Sequence, residues 1–310
     1  MQISILLAQQ IAQLFLILIM GYAVVKAGLL KASDSRVLSV VMVYLVTPCV
    51  IINAFQIDDT PEIRKGLLYS MAIAAAIHVV LLVLSALLSR PLKLDAVEQV
   101  NVIYSNAAAL VIPLVKALMG DAYVIYSCAF IIVQLVLLWT HASSLLQGSS
   151  ALDWKKVLTN INMIAIAAGA LLYWFRVVLP APLQNTMSTV GNMMGPMGML
   201  LAGMAIAEKP LLEVFCTRRN YLPTVLRLVV CPLVVLVLLW VCHASSWVAD
   251  GKNILMTVYL AAITPACATV TSMAQLYDRD AAHSSALYVL TTLLSIVSMP
   301  VMIGLFDLLL

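Results

Sequence analysis

The sequence predicts an all-α polytopic membrane protein, and two observations support this fold class. Of the 310 residues, 64% are hydrophobic and 10% are charged, whereas soluble globular proteins average about 45–50% apolar and about 25% charged residues. A bilayer admits only helices and closed barrels, because every backbone polar group must be satisfied internally. Barrel strands alternate apolar and polar residues, and residues 79–88 and 228–241 show no such alternation. Helices are therefore expected throughout.

About ten hydrophobic segments follow one another along the chain, and a spanning helix needs about 20 apolar residues. The first segment lacks a positively charged region before it, so we expect a retained helix and not a cleaved signal peptide. The connections are short, and we expect no soluble domain. The predicted spans are residues 3–26, 37–57, 66–89, 98–119, 122–146, 159–179, 184–206, 221–243, 253–276 and 282–309.

Ten segments divide into five plus five, and proline positions relate the two halves. Pro48 and Pro196 fall at the same point of the second segment of each half, and Pro113 and Pro265 lie inside the fourth and ninth segments. A repeat with five spans must insert with the opposite topology to its copy. We therefore expect two inverted five-helix repeats with broken, crossing fourth and ninth helices. The expected boundaries are 1–148 for the first repeat, 149–158 for a short cytoplasmic linker and 159–310 for the second repeat.

The distribution of Lys and Arg predicts the orientation. If the N-terminus lies outside, the inside connections hold eleven of these residues and the outside connections hold five. Because cytoplasmic connections carry the excess of positive charge, we expect a multi-pass protein of the cell (inner) membrane with both termini outside the cytoplasm.

Four ionisable residues inside the segments need a separate interpretation. Lys116 and Arg227 are expected to snorkel, their charged ends reaching the interface. For Lys116, neutralisation of an anionic substrate is the alternative. His78 and His141 are expected to pair with hydroxyl groups, and a proton relay is the alternative.

The prolines of the fourth and ninth segments point to a binding site. A proline inside a helix removes one N–H and clashes with the carbonyl four residues earlier, so Pro113 and Pro265 should free the carbonyls of Ala109 and Ala261. Two such breaks in inverted halves predict a site near the middle of the membrane. The new helix N-termini carry positive partial charge and free N–H donors, which suit a carboxylate.

Polar residues near these breaks are the candidate substrate-binding residues. The amide of Asn106 donates and accepts hydrogen bonds, and hydroxyl groups surround the second break, where they suit a carboxylate or a cation. Structural hydrogen bonding, including satisfaction of the freed carbonyls, is an equally good interpretation for several of them. This reasoning selects Asn53, Asn106, Pro113, Asn192, Thr264, Pro265, Thr269 and Thr271.

The fourth segment carries a more specific pattern. It has Asn106, then Pro113 seven residues later, then A-x-x-G-D at residues 117–121. This pattern resembles the auxin efflux carrier family, which includes the plant PIN proteins and many bacterial members. Gln134 and the pair Trp139-Thr140 match the family's fifth helix. Residues 262–265, which read A-I-T-P, and Tyr277 match its ninth helix.

The resemblance covers essentially the whole chain and implies a scaffold part, a transport part and an elevator-like movement. It also implies an anionic substrate where the fourth and ninth helices cross, and it adds Gln134 to the candidate residues. Val270 stands where plant members have a second proline, and the long loop of many plant members is absent. The chain therefore looks like the short bacterial members, which are linked to small carboxylates such as malonate or malate.

The expected function is secondary transport of a small organic anion, a mono- or dicarboxylate, coupled to protons or to no ion. A sodium-coupled symporter of the bile-acid-transporter-like fold is the main alternative. Sodium sites usually include a carboxylate, and no Asp or Glu lies in the middle of any segment. An anion channel is a weaker alternative, since no polar stripe runs along several helices.

Enzyme, metal and nucleic-acid functions lack a motif in this chain. The six cysteines show no C-x-x-C spacing, and H-E-x-x-H and G-x-S-x-G are absent. We therefore expect no enzymatic activity, no cofactor and no metal. The net charge of +3 comes without a basic run, so no nucleic acid is expected. The expected partners are a small carboxylate substrate and the lipid bilayer, with a homodimer left open.

Overall fold

The computed structural model describes residues 2–56, 60–148, 159, 161–207 and 211–310. Within these ranges the chain forms helices and has no strand, apart from one isolated antiparallel bridge between Ser105 and Ala266. The predicted linker, residues 149–158, lies outside the described residues.

The first half contains five helical segments, as the hydrophobic pattern predicts. The second segment includes a π-helical turn, and the fourth is interrupted. They are α1 (Gln2–Lys26), α2 (Ser35–Val41, the π-turn Met42–Val46 and Thr47–Ala54), α3 (Pro61–Ser89), α4a (Ala96–Ile103) with α4b (Ala107–Met119), and α5 (Val124–Gln147).

Five further segments follow in the described part of the second half. A short helix, Leu211–Cys216, precedes the third of them, and the fourth is again interrupted. They are α6 (Ile161–Trp174), α7a (Ala181–Gly191) with α7b (Met194–Ile206), α8 (Arg218–Val241), α9a (Gly251–Ile263) with α9b (Ala268–Leu276), and α10 (Ala281–Leu309).

Among the residues that the structure describes, five continuous helical stretches are long and apolar enough to cross a membrane unaided: Ala32–Asn53, Pro61–Ser89, Val124–Gln147, Arg218–Val241 and Ala281–Leu309. The shortest has 22 residues, about 33 Å at 1.5 Å per residue, against a hydrocarbon core of about 30 Å. Helices α4 and α9 reach a similar length only as pairs of half-helices. The chain is a multi-pass membrane protein.

Helix starts follow from local capping. The backbone N–H of Glu98 donates to Asp95 Oδ1 at 2.8 Å, and the N–H of Asp95 donates to Glu98 Oε2 at 2.9 Å. This reciprocal capping box starts α4a. Thr60 accepts from the N–H of Ile63 at 3.2 Å and starts α3, where Pro61 occupies the first helical position.

The helices pack in two groups. Helices α3, α4, α5, α8, α9 and α10 surround the main core, whose members include Tyr104, Phe130 and Tyr259. Helices α1, α2, α6 and α7 pack on one another. Gly203 of α7b lies against the backbone of Leu18 in α1, where a Cβ atom has no room. Small residues permit such close backbone approach between membrane helices.

Candidate functional site

The two broken helices are interrupted at unequal distances from their prolines. Helix α9 breaks at residues 264–267, and Pro265 lies in the break as predicted. Helix α4 breaks at residues 104–106, whereas Pro113 lies within the continuous helix α4b. The expectation that Pro113 makes the first break is therefore wrong. The chain leaves the helix where its backbone groups find partners on other helices.

The two breaks are hydrogen-bonded to each other. The backbone N–H of Asn106 donates to the carbonyl of Pro265 at 2.8 Å, and the N–H of Cys267 donates to the carbonyl of Tyr104 at 3.1 Å. Ser105 and Ala266 form an antiparallel bridge between these bonds. The fourth and ninth helices therefore cross at their interruptions, as expected for inverted halves. Residues 104–106 and 264–267 are called the crossover below.

The last helix of each half supports one strand of the crossover. In α5, Gln134 Oε1 accepts from the N–H of Ser105 at 3.0 Å and from its hydroxyl at 2.7 Å, while Nε2 donates to its carbonyl at 2.8 Å. In α10, Thr291 Oγ1 accepts from the N–H of Ala266 at 3.1 Å. The N–H and carbonyl of Ser105 and the N–H of Ala266 thus receive their partners from side chains, which satisfies backbone groups that neither helix can satisfy.

Arg227 occupies the side of the crossover where α4a and α9a end. Its side chain is 1% exposed. Nε donates to the carbonyl of Thr264 at 3.0 Å, and Nη2 donates to the carbonyls of Thr264, at 2.7 Å, and Ala262. Nη1 donates to the carbonyls of Val102 at 3.1 Å and Ile103 at 3.2 Å. The expectation that Arg227 snorkels to the interface is wrong, because these carbonyls satisfy it inside the protein.

The charges at the crossover are arranged asymmetrically. A helix C-terminus carries roughly −0.5 of an elementary charge, so the ends of α4a and α9a together approach the charge that one guanidinium neutralises. Helices α4b and α9b begin on the other side of the crossover, with roughly +0.5 each. Neither has an acidic residue in its first turn, and in the described chain neither receives a side-chain cap.

A cavity adjoins the N-terminus of α9b. It leaves about 60 Å³ for the centres of water molecules. Its apolar walls come from α2, α5 and α7b, and no Asp, Glu, Lys, Arg or His lines it among the described residues. The polar lining residues are Ser35, Ser39, Thr47, Gln134, Thr269, Thr271, Ser272, Gln275, Ser285 and Tyr288. The cavity is called the α9b cavity below.

Three predicted site residues, Gln134, Thr269 and Thr271, line the α9b cavity. Asn106 lies just behind its wall: the side chain is 3% exposed, and Nδ2 donates to the hydroxyl of the lining residue Tyr288 at 3.4 Å. Tyr288 was missed by the sequence interpretation, because nothing in α10 marked it apart from neighbouring polar residues.

Two further predicted residues, Thr264 and Pro265, form the crossover itself. Thr264 is fully buried, and its hydroxyl donates to the carbonyl of Ala261 at 3.0 Å. This is the carbonyl that Pro265 was expected to free. For Thr264, satisfaction of a freed carbonyl is therefore what the structure shows.

Asn53 and Asn192 lie elsewhere, on a second and more open cavity of about 1000 Å³. The two cavities share no lining residue, and they adjoin different stretches of α2, residues 35–47 and residues 50–56. At the rim of the second cavity, the Tyr123 hydroxyl donates to Asp250 Oδ2 at 2.6 Å. This hydrogen bond to the carboxylate raises the pKa of Tyr123 above its usual range.

A buried carboxylate near the start of α4a was also missed. Glu98 is 4% exposed, and its Oε1 accepts from Arg219 Nε at 2.8 Å and lies 3.0 Å from His283 Nε2. The D-x-x-E spacing of Asp95 and Glu98 is a readable capping signal, but the pairing with α8 and α10 is tertiary.

The two histidines predicted to pair with hydroxyl groups have different kinds of partner. His141 Nδ1 lies 3.0 Å from the hydroxyl of Tyr104, in agreement with the predicted pairing. His78 Nδ1 instead lies 2.7 Å from the carbonyl of Ala74, so the predicted hydroxyl partner is wrong for this residue.

Comparison with known proteins agrees with this architecture. No curated protein sequence matches the chain significantly. A family model described as membrane transport protein matches residues 6–153 and residues 151–303, which are two repeats that together cover nearly the whole chain. Each repeat contains one of the two broken helices that meet at the crossover. The chain therefore belongs to this membrane transport protein family, the auxin efflux carrier family, and is a membrane transporter.

Proposed function

We propose that this transporter carries a small organic anion, a mono- or dicarboxylate of the size of malonate or malate, by secondary transport. The observation that carries the proposal is the unneutralised N-terminus of α9b beside the α9b cavity. A helix N-terminus in that setting offers N–H donors and positive partial charge to a carboxylate. The opposite ends of the broken helices are already neutralised by Arg227, so the crossover favours an anion on one side only.

The lining of the α9b cavity supports a small polar substrate. Thr269 and Ser272 in the first turns of α9b bring hydroxyl donors next to the helix N-terminus, and Trp139 contributes apolar wall. Ligand sites commonly combine apolar walls with a few placed polar groups. One water molecule needs about 10–15 Å³ of such volume, so the roughly 60 Å³ of the α9b cavity holds only a few waters. A space of this size suits a small carboxylate better than a bulky aromatic acid.

The two separate cavities support alternating access. They adjoin different stretches of α2, and Cys267 of the crossover lines the α9b cavity. An elevator-like movement of the helices around the crossover against α1, α2, α6 and α7 would expose the site to each side in turn. In this scheme Asn53 and Asn192 contact the substrate in the opposite state. The inner-membrane location and the position of both termini outside the cytoplasm remain predictions from the sequence, and a homodimer remains open.

Coupling to protons or to no ion is part of the proposal. Among the described residues, the α9b cavity has no carboxylate that would attract sodium. A sodium-coupled symporter is the second candidate, because hydroxyl and carbonyl oxygens around α9b also suit a cation. Uptake into proteoliposomes with choline in place of sodium separates the two: the proposed carrier keeps its rate, and a sodium symporter loses it.

A thermal-shift measurement on the purified protein tests the substrate class. A ligand at 100 times its Kd adds about 2.7 kcal/mol to the free energy of unfolding, so malonate and malate should raise the unfolding temperature in a saturable way. Neutral malonamide should not raise it, because it carries no charge for the helix N-terminus to bind. Equal stabilisation by malonamide would contradict an anion site.

The variant Thr269→Val tests the position of the site. It removes one donor to a charged ligand, worth about 1.5–3 kcal/mol, so the Kd should rise roughly 10- to 100-fold. Thr186→Val is the matched control, because this exposed threonine of α7a bonds the carbonyl of Pro182 in its own helix. If Thr269→Val binds every carboxylate as tightly as this control, the site lies elsewhere.

A further inference from the structure

We propose that the four carbonyls around Arg227 form a monovalent cation site that the chain fills with its own guanidinium. The inference concerns the coupling ion of the proposed carrier and rests on that function. It predicts that the wild-type protein needs no dissociable cation at the crossover, and that removal of the Arg227 side chain creates a site where a small cation binds.

The carbonyls have the arrangement that a cation requires. Those of Val102 and Ile103 end α4a, and those of Ala262 and Thr264 end α9a. All four accept hydrogen bonds from one guanidinium, and the N···O distances to the carbonyls of Val102, Ile103 and Thr264 lie between 2.7 and 3.2 Å. In carriers with broken helices, unwound carbonyls and half-helix C-termini coordinate the coupling ion, while half-helix N-termini face the anionic substrate. Arg227 therefore stands where such an ion would bind.

The guanidinium is fully engaged. It has five N–H donors, and the structure gives it five hydrogen bonds to these four carbonyls. Among the described residues no carboxylate forms an ion pair with Arg227. Its charge is therefore balanced by the dipoles of two helix ends and not by an acid, which is how a bound alkali cation would be balanced at the same place.

A π-helical turn in α8 positions the side chain of Arg227 at the carbonyls. Arg227 lies in the π-helical turn Leu226–Val230, and such turns re-aim side chains and occur often at functional sites. One turn later the thiol of Cys231 donates to the carbonyl of Val102 at 3.8 Å. Helix α8 is thus bonded to the ends of both broken helices and should move with the crossover as one unit.

The test uses Arg227→Ala in the full chain. Loss of the side chain leaves four buried carbonyls without a partner, so the unfolding temperature should fall by about 10 °C or more. Guanidinium ion at low millimolar concentration, below its denaturing range, should restore at least half of the loss in a saturable way. Sodium or potassium should restore part of it relative to choline at equal ionic strength.

Two comparisons make the result specific. Arg218→Ala removes an exposed arginine of the same helix, and it should neither destabilise the protein nor respond to guanidinium. Arg227→Lys keeps the charge with fewer donors and should retain more stability than the neutral, similarly sized Arg227→Met. Equal stability of these two variants would overturn the proposal, because charge at the carbonyls would then be irrelevant.

The wild-type protein supplies a test that does not depend on folding of a variant. Its unfolding temperature without substrate should be the same in sodium and in choline chloride. Saturable stabilisation by sodium in the wild type would overturn the proposal. Failure of every cation to rescue Arg227→Ala would also overturn it. If no carboxylate binds in the thermal-shift screen, the proposed function is contradicted. The cation rescue of Arg227→Ala can still be interpreted in that case, because it does not depend on a substrate.

Discussion

Asn106 donates its backbone N–H to the carbonyl of Pro265 at 2.8 Å, which joins the interrupted helix of one half to that of the other. Its side chain points on to Tyr288 in α10, at 3.4 Å, and the tyrosine lines the α9b cavity. One residue therefore contributes its backbone to the crossover and its amide to the wall of the proposed site.

This double contact makes Asn106→Ala informative. The backbone bond to Pro265 does not depend on the side chain, so we expect the fold to persist with a loss of about 1 kcal/mol. The Tyr288 hydroxyl at the cavity wall loses the amide that donates to it, so carboxylate uptake should fall several-fold in proteoliposomes. Tyr288→Phe removes the other member of the pair and should act similarly. Unchanged uptake of every carboxylate by Asn106→Ala would remove the crossover from the substrate site.

Gln134→Leu should destabilise the protein strongly. The change leaves the backbone N–H and carbonyl of Ser105 without their partner, and each unsatisfied buried group costs about 1–3 kcal/mol. We expect a loss of about 2–4 kcal/mol, measured as a fall in the unfolding temperature. Gln147→Leu, near the end of α5, removes an amide that donates to the Ser143 hydroxyl and, among the described residues, supports no backbone group of the crossover; it should cost less than about 1 kcal/mol. Equal losses would contradict the role given to Gln134.

Thr291 and Thr292 provide a matched pair in α10. Both are buried, but only Thr291 accepts from the N–H of Ala266 in the crossover, whereas Thr292 bonds the carbonyl of Tyr288 in its own helix. Thr291→Val should cost about 1–3 kcal/mol, because it orphans a buried backbone donor. Thr292→Val should cost less. Thermal unfolding of the two variants checks the difference, and the reverse order would refute the assignment.

Gly203→Ala tests the close contact between α7b and α1. An added Cβ meets the backbone of Leu18, and overpacking typically costs about 1–3 kcal/mol. Gly304→Ala in α10 is the control, because its Cβ would meet no atom within 4 Å. Alanine is favoured over glycine in a helix by roughly 0.5–1 kcal/mol, so this control should be neutral or stabilising. Two variants of equal stability would show that α1 and α7b can separate without cost.

Alkaline pH should weaken the contact at the rim of the second cavity. The carboxylate of Asp250 raises the pKa of Tyr123 in the folded protein above the ordinary value of 10.0. The contribution to stability is therefore complete below about pH 10 and is lost as the pH rises through the folded-state pKa. Tyr123→Phe should reduce the difference in unfolding temperature between pH 8 and pH 10.5. An unchanged difference would exclude this pair as its source.

Much of the fold is predictable because composition and hydrophobic length act locally. Ten apolar segments predict ten spans, and Pro265 marks the second break because a proline cannot continue the hydrogen bonds of a helix. The first break is displaced from Pro113, since its position depends on Gln134 and on the second break, both distant in sequence. The resemblance in the fourth segment identified the family but could not locate the interruption.

The candidate site was predicted less completely, and Arg227 shows why. A charge inside an apolar segment is a functional signal by default, yet the same pattern fits a side chain that reaches the interface. Only the positions of two helix ends decide between these interpretations. Those ends come from residues 102–103 and 262–264, which the sequence separates by some 160 positions. Glu98 was missed for the same reason. Its capping role is local in sequence, but its contacts with Arg219 and His283 depend on the tertiary structure.

The crossover also bears on how such a chain can change over generations. Gln134, Thr291 and Arg227 hold the crossover backbone together through side-chain hydrogen bonds, so a substitution at one of them leaves buried backbone groups without a partner. Thr269, Ser272 and Gln275 line the cavity outside this set. Mutation can therefore explore new substrates on α9b while the crossing of the two halves is inherited intact.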